Sequence, residues 1–451
     1  MSSEKIQSSQ DCRAWIVAGS KKRQDFRVGT EFERILIDPQ GSPLSYDGKL
    51  GIRAVLEELA RRSGWTPITE GSAIIGLQGQ NASITLEPAG QFELSGAPLR
   101  TVSEMKAELD AHLELVDAVV HDLGGRALYT GINPADRPQQ APHMPKARYG
   151  IMRQWMPKVG GRGLDMMHLT CTVQANLDFT DAQDAMELLR AGFLVTPVLI
   201  ALFANSPWRY GVDTKMASSR ADLWLDVDPA RCDLGAMAFD PSATVDDYVN
   251  WALDVPMYFV LHKDAQGQKV YRPAERHGAT FGDFMREGDR GRAATEDDWA
   301  LHLSTLFPDV RLKQFIELRG ADTVPPQWLP AFPMLSLALL DDPQARKQVM
   351  ELLRDGDSRI DRSALRAAAC KEGLDGRVAS LALRELATEC LKIAKTTLSR
   401  RKQSFGPDPA ADQCLEILEQ LVSGTRQPLW QIQRDVLSGG ANLWKLADSL
   451  S

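Results

Sequence analysis

The sequence predicts an α+β protein with a mostly antiparallel sheet, and three observations carry that prediction. Segments of two-residue alternation lie among segments of helical period, without the strict strand–helix alternation of a parallel sheet. The stretch "NASITLEPAGQFELSG" (81–96) reads as a hairpin closed by Pro-Ala-Gly, with Glu87 and Glu93 inside its two strands. Beyond residue 330 the pattern is helical almost to the end.

In chain order, residues 1–24 form a polar lead-in with one short helix. Residues 25–335 carry the strands: "RVGTEFERILI", the 81–96 hairpin, "RALYTGI", "LTCTVQANLDF", "MYFVLHK" and "RLKQFIELRGAD". Helices fall among them at "IRAVLEELARRS", "VSEMKAELDAHLELVDAVVHDLG" and "DAQDAMELLRAGFLVTPVLIALF"; Gly124 ends the second and Asp181 caps the third. Residues 336–451 form a helical part packed on the same body, with "RVASLALRELATECLKIAKTTLSRRKQ" its longest stretch.

The 451 residues are 43% hydrophobic and 25% charged, enough for an ample core. A net charge of -8 argues against nucleic acid as main partner, because phosphate binding needs a basic footprint. The opening "MSSEKIQSSQDCRAW" lacks the apolar stretch of a secretory signal. The longest apolar run, Phe193 to Ala204, contains Thr196 and Pro197 and falls short of a bilayer span. The expectation is a cytoplasmic protein without a membrane partner. Its six cysteines are scattered, with no C-x-x-C pair, and read as buried or idle thiols; Cys171 belongs to the core side of its strand.

The chemistry lies on the strands. In "GTEFERILI", Glu31 and Glu33 share a face. Thr85 and Glu87, then Gln91, Glu93 and Ser95, form the polar face of the hairpin. Thr172, Gln174, Asn176 and Asp178 share a face, and so do Phe315, Glu317 and Arg319. A solvated face explains any one of these pairs. Four strands of one design point instead to carboxylates converging on a sheet, where mutual repulsion is relieved by a hard divalent cation such as Mg²⁺. Arg319 suits a phosphate or carboxylate on the same surface.

Other motifs are absent. There is no P-loop, H-E-x-x-H or G-x-S-x-G, and the seven histidines show no zinc-like spacing. The glycine-rich "KVGGRGLD" (158–165) reads as a mobile loop, and His168 as a packing or surface residue.

At these residues the sequence resembles the plant-type glutamate–cysteine ligases. The matching stretches include "RVGTEFE", "LEPAGQFELSGAP", "MPKARYGIMRQWMPKVGGRGLDMM", "TCTVQANLDF", "YVNWALDVPMYF" and "IELRGAD", in collinear order over roughly residues 25–335. The resemblance implies a glutamine-synthetase-like catalytic domain, a curved antiparallel sheet forming an open funnel covered by helices. It implies ATP-dependent joining of the glutamate γ-carboxylate to the cysteine amine through a γ-glutamyl phosphate, with Mg²⁺ held by Glu31, Glu33, Glu87, Glu93, Gln174 and Glu317. Arg319 and Glu87 become catalytic residues. Arg319 and Lys313 face the transferred phosphate, Arg220 grips the glutamate α-carboxylate, Tyr258 lines the amino-acid pocket, and Lys146 and Arg148 contact substrate. The plain alternatives are an ion pair of Arg220 with Asp222 or Asp226, and a half-buried aromatic role for Tyr258. The assembly implied is a monomer or homodimer.

Two departures from the plant pattern stand out. Residues 260–305 contain no cysteine, so the regulatory disulfide of that family is expected to be missing. His168-Leu169 replaces a Leu-Arg pair beside the strand of Gln174, which bears on the identity of the acceptor amine. Two further readings stay open: a ligase joining glutamate to a different amine, and a catalytically silent sensor of ATP or glutamate.

Overall fold

Val28–Ile37 sets Phe32 between Glu31 and Glu33, ends in the apolar run Ile35–Ile37, and forms β1, around which the main sheet is built. The computed structural model describes residues 4–264, 269–354, 360–440 and 442–450. The other strands of the sheet are β2 (Thr66–Glu70), β3 (Ala73–Gln78), β4 (Ser83–Leu86), β5 (Phe92–Ser95), β6 (Arg126–Leu128), β7 (Thr172–Leu177), β8 (Val310–Leu312) and β9 (Ile316–Asp322). Their order is β8-β9-β7-β1-β5-β4-β3-β2, with β6 pairing the distal end of β1, and every pairing is antiparallel. The α+β expectation therefore holds. "MYFVLHK" differs: its strand begins only at Val260 and pairs with Lys269–Arg272 in a separate two-stranded sheet.

The turn after β4 follows its residue types. Gly90 takes a positive φ of 84°, and its N–H donates to the Glu87 carbonyl at 2.9 Å. Because β4 ends at Leu86, Glu87 stands on the turn and not within a strand, a correction to the hairpin reading.

One face of the sheet is apolar and covered. Phe32, Leu94, Val173, Ala175, Leu177, Ile316 and Leu318 are buried in one core with helix Ala182–Phe203 and the C-terminal helices Leu383–Phe405 and Pro409–Ser423. The 22-residue helix Ala182–Phe203 is long and apolar enough to cross a membrane by composition, longer than the apolar run read from the sequence, and 89% of its apolar window is buried. It approaches the sheet closely at Gly192, where a Cβ would stand 2.9 Å from Leu318 Cδ2. A polar intrusion on this side is partnered at its outer nitrogens: the buried Arg34 donates to the Tyr129 hydroxyl at 2.7 Å and pairs with Asp117 at 2.9 Å, while its Nε has no hydrogen-bond partner among the described residues.

The C-terminal part is tied into the same body. Asp408 accepts from the backbone N–H groups of Val102 and Ser103 at 2.8 and 2.9 Å, capping the first turn of helix Val102–Asp122 across 306 positions of sequence. Leu446 and Leu450 of the last helix are buried with Ile35, Ile37, Leu128 and Cys171, where β1 continues beyond its carboxylates. Leu446→Ala is expected to cost about 2–5 kcal/mol. Urea unfolding followed by fluorescence and circular dichroism should show one shifted transition; an early separate transition for the C-terminal helices would refute their joint folding.

Candidate functional site

The opposite face of the sheet is where the acidic residues meet. Glu33 lies directly across from Glu93, and Glu93 across from Thr85. On the other side of β1, Glu31 is opposite Gln174, while Asn176 is opposite Glu317. Alternation places all of these on one side of five neighbouring strands.

The face has two electrically distinct ends. Burial first, then the neighbouring Glu87 and Glu93 carboxylates, push the Glu33 carboxyl well above its ordinary range. Burial and Glu87 likewise raise Glu93, and burial with Glu93 and Glu317 raises Glu31. Their hydrogen bonds are few: Glu33 accepts from the Thr172 N–H at 2.9 Å, Glu31 from Asn176 Nδ2 at 2.9 Å, and Glu93 from the Ser95 hydroxyl at 2.7 Å. At the other end Glu317 is surrounded by cations. Burial alone would raise its carboxyl, but Arg311, Lys313 and Arg319 outweigh burial and hold it well below the carboxylate range. Arg311 is hydrogen-bonded to one oxygen, and Lys313 Nζ lies 3.1 Å from the other.

The donor set fits a hard divalent cation in chemistry, though not with every expected residue. Glu31, Glu33, Glu87 and Glu93 offer carboxylates that form no ion pair among the described residues, and the buried Asn176 Oδ1 has no hydrogen-bond partner among them. Two expected ligands are otherwise engaged. Glu317 is taken by Arg311 and Lys313, and Gln174 gives its oxygen to Arg319 at 2.9 Å and its nitrogen to the Thr172 hydroxyl at 2.8 Å. As the side chains stand, no three His, Cys, Asp or Glu residues among the described residues converge closely enough to share one ion.

Arg220 is buried close behind this face. It donates to the Arg319 carbonyl at 3.0 Å, lies 3.9 Å from Asp322, and rests over the Trp224 ring at 4.7 Å. Neither Asp222 nor Asp226 is its partner; Asp222 pairs with Arg162 at 2.6 Å. Arg220 Nε and Arg319 Nε are buried without a hydrogen-bond partner among the described residues, so both guanidinium groups keep a donor unused.

Helix Ala147–Trp155 supplies a wall next to the Glu87 turn. Lys146 Nζ and the Tyr149 hydroxyl both donate to the Leu86 carbonyl, at 2.7 and 2.6 Å. Burial, then the nearby Arg148, lowers the Lys146 ammonium from 10.5 to about 8, against the pull of Glu87 and Glu93. Arg148 shares this wall, its guanidinium 5.1 Å from the Tyr149 ring centre. Tyr258 stands elsewhere. It is 2% exposed, under the Arg231 guanidinium at 3.6 Å, with its hydroxyl on the Met156 sulfur, so it does not line an open pocket here. The glycine-rich loop is not free either. A Cβ on Gly160 would stand 2.0 Å from the Val227 carbonyl oxygen, and the Gly161 and Arg162 N–H groups donate to Asp226. Those glycines permit close backbone packing.

The sequence reading missed Arg311 and Asp322. Arg311 lies directly opposite Glu317 in the β8–β9 hairpin, a placement that the alternation Arg311, Lys313 already signals. Asp322 accepts from the Asn205 N–H, the Ser206 hydroxyl and the Ser218 hydroxyl at 2.6–2.9 Å, organising the backbone around Arg220. A bulge between Leu318 and Ala321 shifts its register, so strict alternation assigns Asp322 to the wrong face.

With this geometry in place, a family model described as "Glutamate-cysteine ligase family 2" matches residues 27–435. The chain belongs to that family. It is 40% identical over 398 residues to the chloroplastic glutamate–cysteine ligase B of Oryza sativa subsp. japonica, covering 87% of this chain and 78% of the relative. It is 39% identical over 396 residues to the chloroplastic glutamate–cysteine ligase of Arabidopsis thaliana, covering 87% of this chain and 74% of the relative. A solved glutamate–cysteine ligase of Francisella tularensis in complex with AMP shares the fold, with a TM-score of 0.55 at 15% identity over 94% of this chain and 87% of that one. The family places the chain among the ligases, and the glutamine-synthetase-like fold class stands.

These relatives overturn the cytoplasmic expectation, since they are chloroplastic enzymes. The expectation rested on a missing apolar leader, which marks secretion; plastid transit segments are rich in Arg and Ser instead, so its absence decides nothing.

His168, set aside as a packing residue, is fixed by two partners. One ring nitrogen faces the Leu164 carbonyl at 2.9 Å, and the other receives Arg153 Nε at 3.2 Å. Burial lowers its pKa from 6.5 to about 4. Between these values the unfolded chain binds the proton and the folded chain does not, so stability falls as pH drops from 6.5 to 4. Chemical denaturation at pH 7 and 4.5 should show a drop smaller by about 2–3 kcal/mol in His168→Gln than in the parent protein.

Proposed function

We propose that this protein joins the γ-carboxylate of L-glutamate to the amino group of L-cysteine at the expense of ATP, the first step of glutathione synthesis. The observation that carries the reading is the divided face: Glu31, Glu33, Glu87 and Glu93 together without an ion pair among the described residues, beside Glu317 with Arg311, Lys313 and Arg319. Family membership supports the choice of substrates.

A carboxylate is a poor electrophile. Its oxygen attacks the ATP γ-phosphorus, ADP departs, and a γ-glutamyl phosphate remains. The cysteine nitrogen then attacks the acyl carbon, phosphate leaves, and the nitrogen loses a proton as the amide forms. Mg²⁺ bound by Glu31, Glu33, Glu87 and Glu93 would neutralise charge on the phosphoryl oxygens. Arg319, with its unused Nε, and Lys313 are the chain's own cations for that group. Arg220 is suited to the glutamate α-carboxylate through its unused Nε, with its plane set by Trp224. Lys146 and Arg148 stand next to Glu87, where a second substrate carboxylate would be held.

The purified protein should release ADP only with glutamate, an acceptor amine and Mg²⁺ all present; equal release without an acceptor would sink the reading. A panel of amino acids in the same assay identifies the preferred amine. Glu87→Gln should keep the parent circular dichroism spectrum while lowering kcat by about 10²–10³-fold at saturating Mg²⁺. All six cysteines are free and five are buried, so turnover is expected to be the same with and without dithiothreitol.

A further inference from the structure

A second charged cavity lies away from the acidic face. It measures about 360 Å³ and is lined by Arg23, Arg27, Arg100, Arg400 and Arg401. The lead-in, the residue just before β1, the turn before helix Val102–Asp122, and the end of helix Leu383–Phe405 bring these five together. None of its lining residues is a carboxylate of the acidic face.

The cavity carries excess positive charge in a chain of net charge -8. Its only lining carboxylates are Asp341 and Asp342, and both are committed: Asp341 pairs with Arg401 at 3.2 Å, and Asp342 with Arg400 at 3.1 Å. Arg23 reaches the Asp341 carbonyl and Asp184. Arg27 and Arg100 have no ion pair among the described residues. The Arg27 guanidinium donates to the Phe26 carbonyl at 2.8 Å, and that of Arg100 to the Gln24 carbonyl at 3.3 Å. Phe405 lies under both Arg100 and Arg401, at 5.8 and 5.0 Å, and holds the two guanidinium groups along one wall. Guanidinium groups gathered with too few carboxylates repel one another unless an anion joins them. Their fork geometry matches phosphoryl oxygens, and the volume admits a small organic molecule.

We propose that this cavity is a second ligand site, separate from the ligase site, for a small phosphate-bearing polyanion held mainly by Arg27 and Arg100. Occupancy would bridge the lead-in to the C-terminal helices and stabilise the folded protein.

The test is isothermal titration calorimetry of the full chain with inorganic tripolyphosphate, ADP and citrate as probes, alongside R27Q, R100Q and the double variant. ADP and tripolyphosphate distinguish a nucleotide source from a bare polyphosphate, and citrate tests whether phosphoryl groups are needed. The expected result is binding of a phosphate probe that weakens about tenfold per arginine removed, and further with added salt, while ligase turnover and circular dichroism stay at the parent level. The single variants serve if the double fails to fold. Three results would overturn the proposal: no binding of either phosphate probe, equal binding by parent and variants, or citrate binding as tightly as tripolyphosphate.

Discussion

The pairing of Glu33 with Glu93 across two central strands is the constraint to which the rest of the structure answers. Like charges directly opposite one another destabilise a sheet, and burial makes the repulsion worse. Arg220 and Lys146 act on the pair without outweighing burial and repulsion, and neither forms an ion pair with it among the described residues. Three further cations, Arg311, Lys313 and Arg319, collect at Glu317 instead. The result is one surface with a compensated end and an uncompensated end. The first retains unused guanidinium donors for an anion, and the second retains unneutralised carboxylates for cations. A reaction that moves a phosphoryl group between two carboxylate-bearing molecules needs both ends side by side.

Such a surface is expensive to hold, and the covered face of the sheet supplies the support. Phe32, Val173 and Leu318 alternate with the polar residues on the same strands, so the core that buries one set fixes the direction of the other. The C-terminal helices belong to this support: Leu446 and Leu450 pack on Ile35 and Ile37 at the far end of β1, and Asp408 caps the helix that follows β5. Asp322 does similar work at short range. Held by Asn205, Ser206 and Ser218, it leaves the Arg220 backbone N–H on the Ser206 hydroxyl and its guanidinium within 3.9 Å. These are the fixed dipoles and locked rotamers that preorganisation requires.

Much of the site was legible from residue types in alternation. Glu31, Glu33, Glu93, Asn176, Glu317 and Arg319 each stand on the face that a period of two assigns them, because the apolar partners on the same strand leave no other choice. Where backbone regularity ends, the reading fails. Glu87 lies on a turn, Asp322 follows a bulge, and Tyr258 precedes a strand that never joins the main sheet. The glycines at 160 and 161 suggested mobility and instead permit close packing, since a glycine serves a flexible loop and a tight contact equally. Compartment was misread for a different reason: an absent apolar leader carries no information about a plastid.

The sequence by itself determined which side chains share a face and that the face is acidic, because alternation is a property of each strand alone. Only the tertiary structure decided which strands are neighbours, and hence that Glu33 meets Glu93 while Glu317 meets Arg311. Such pairings depend on contacts across long stretches of chain, as the Thr323 hydroxyl on the Glu33 carbonyl across 290 positions illustrates. The charge state of each carboxylate follows from its neighbours in space, so no local pattern could say which of them would be neutralised and which left for a ligand.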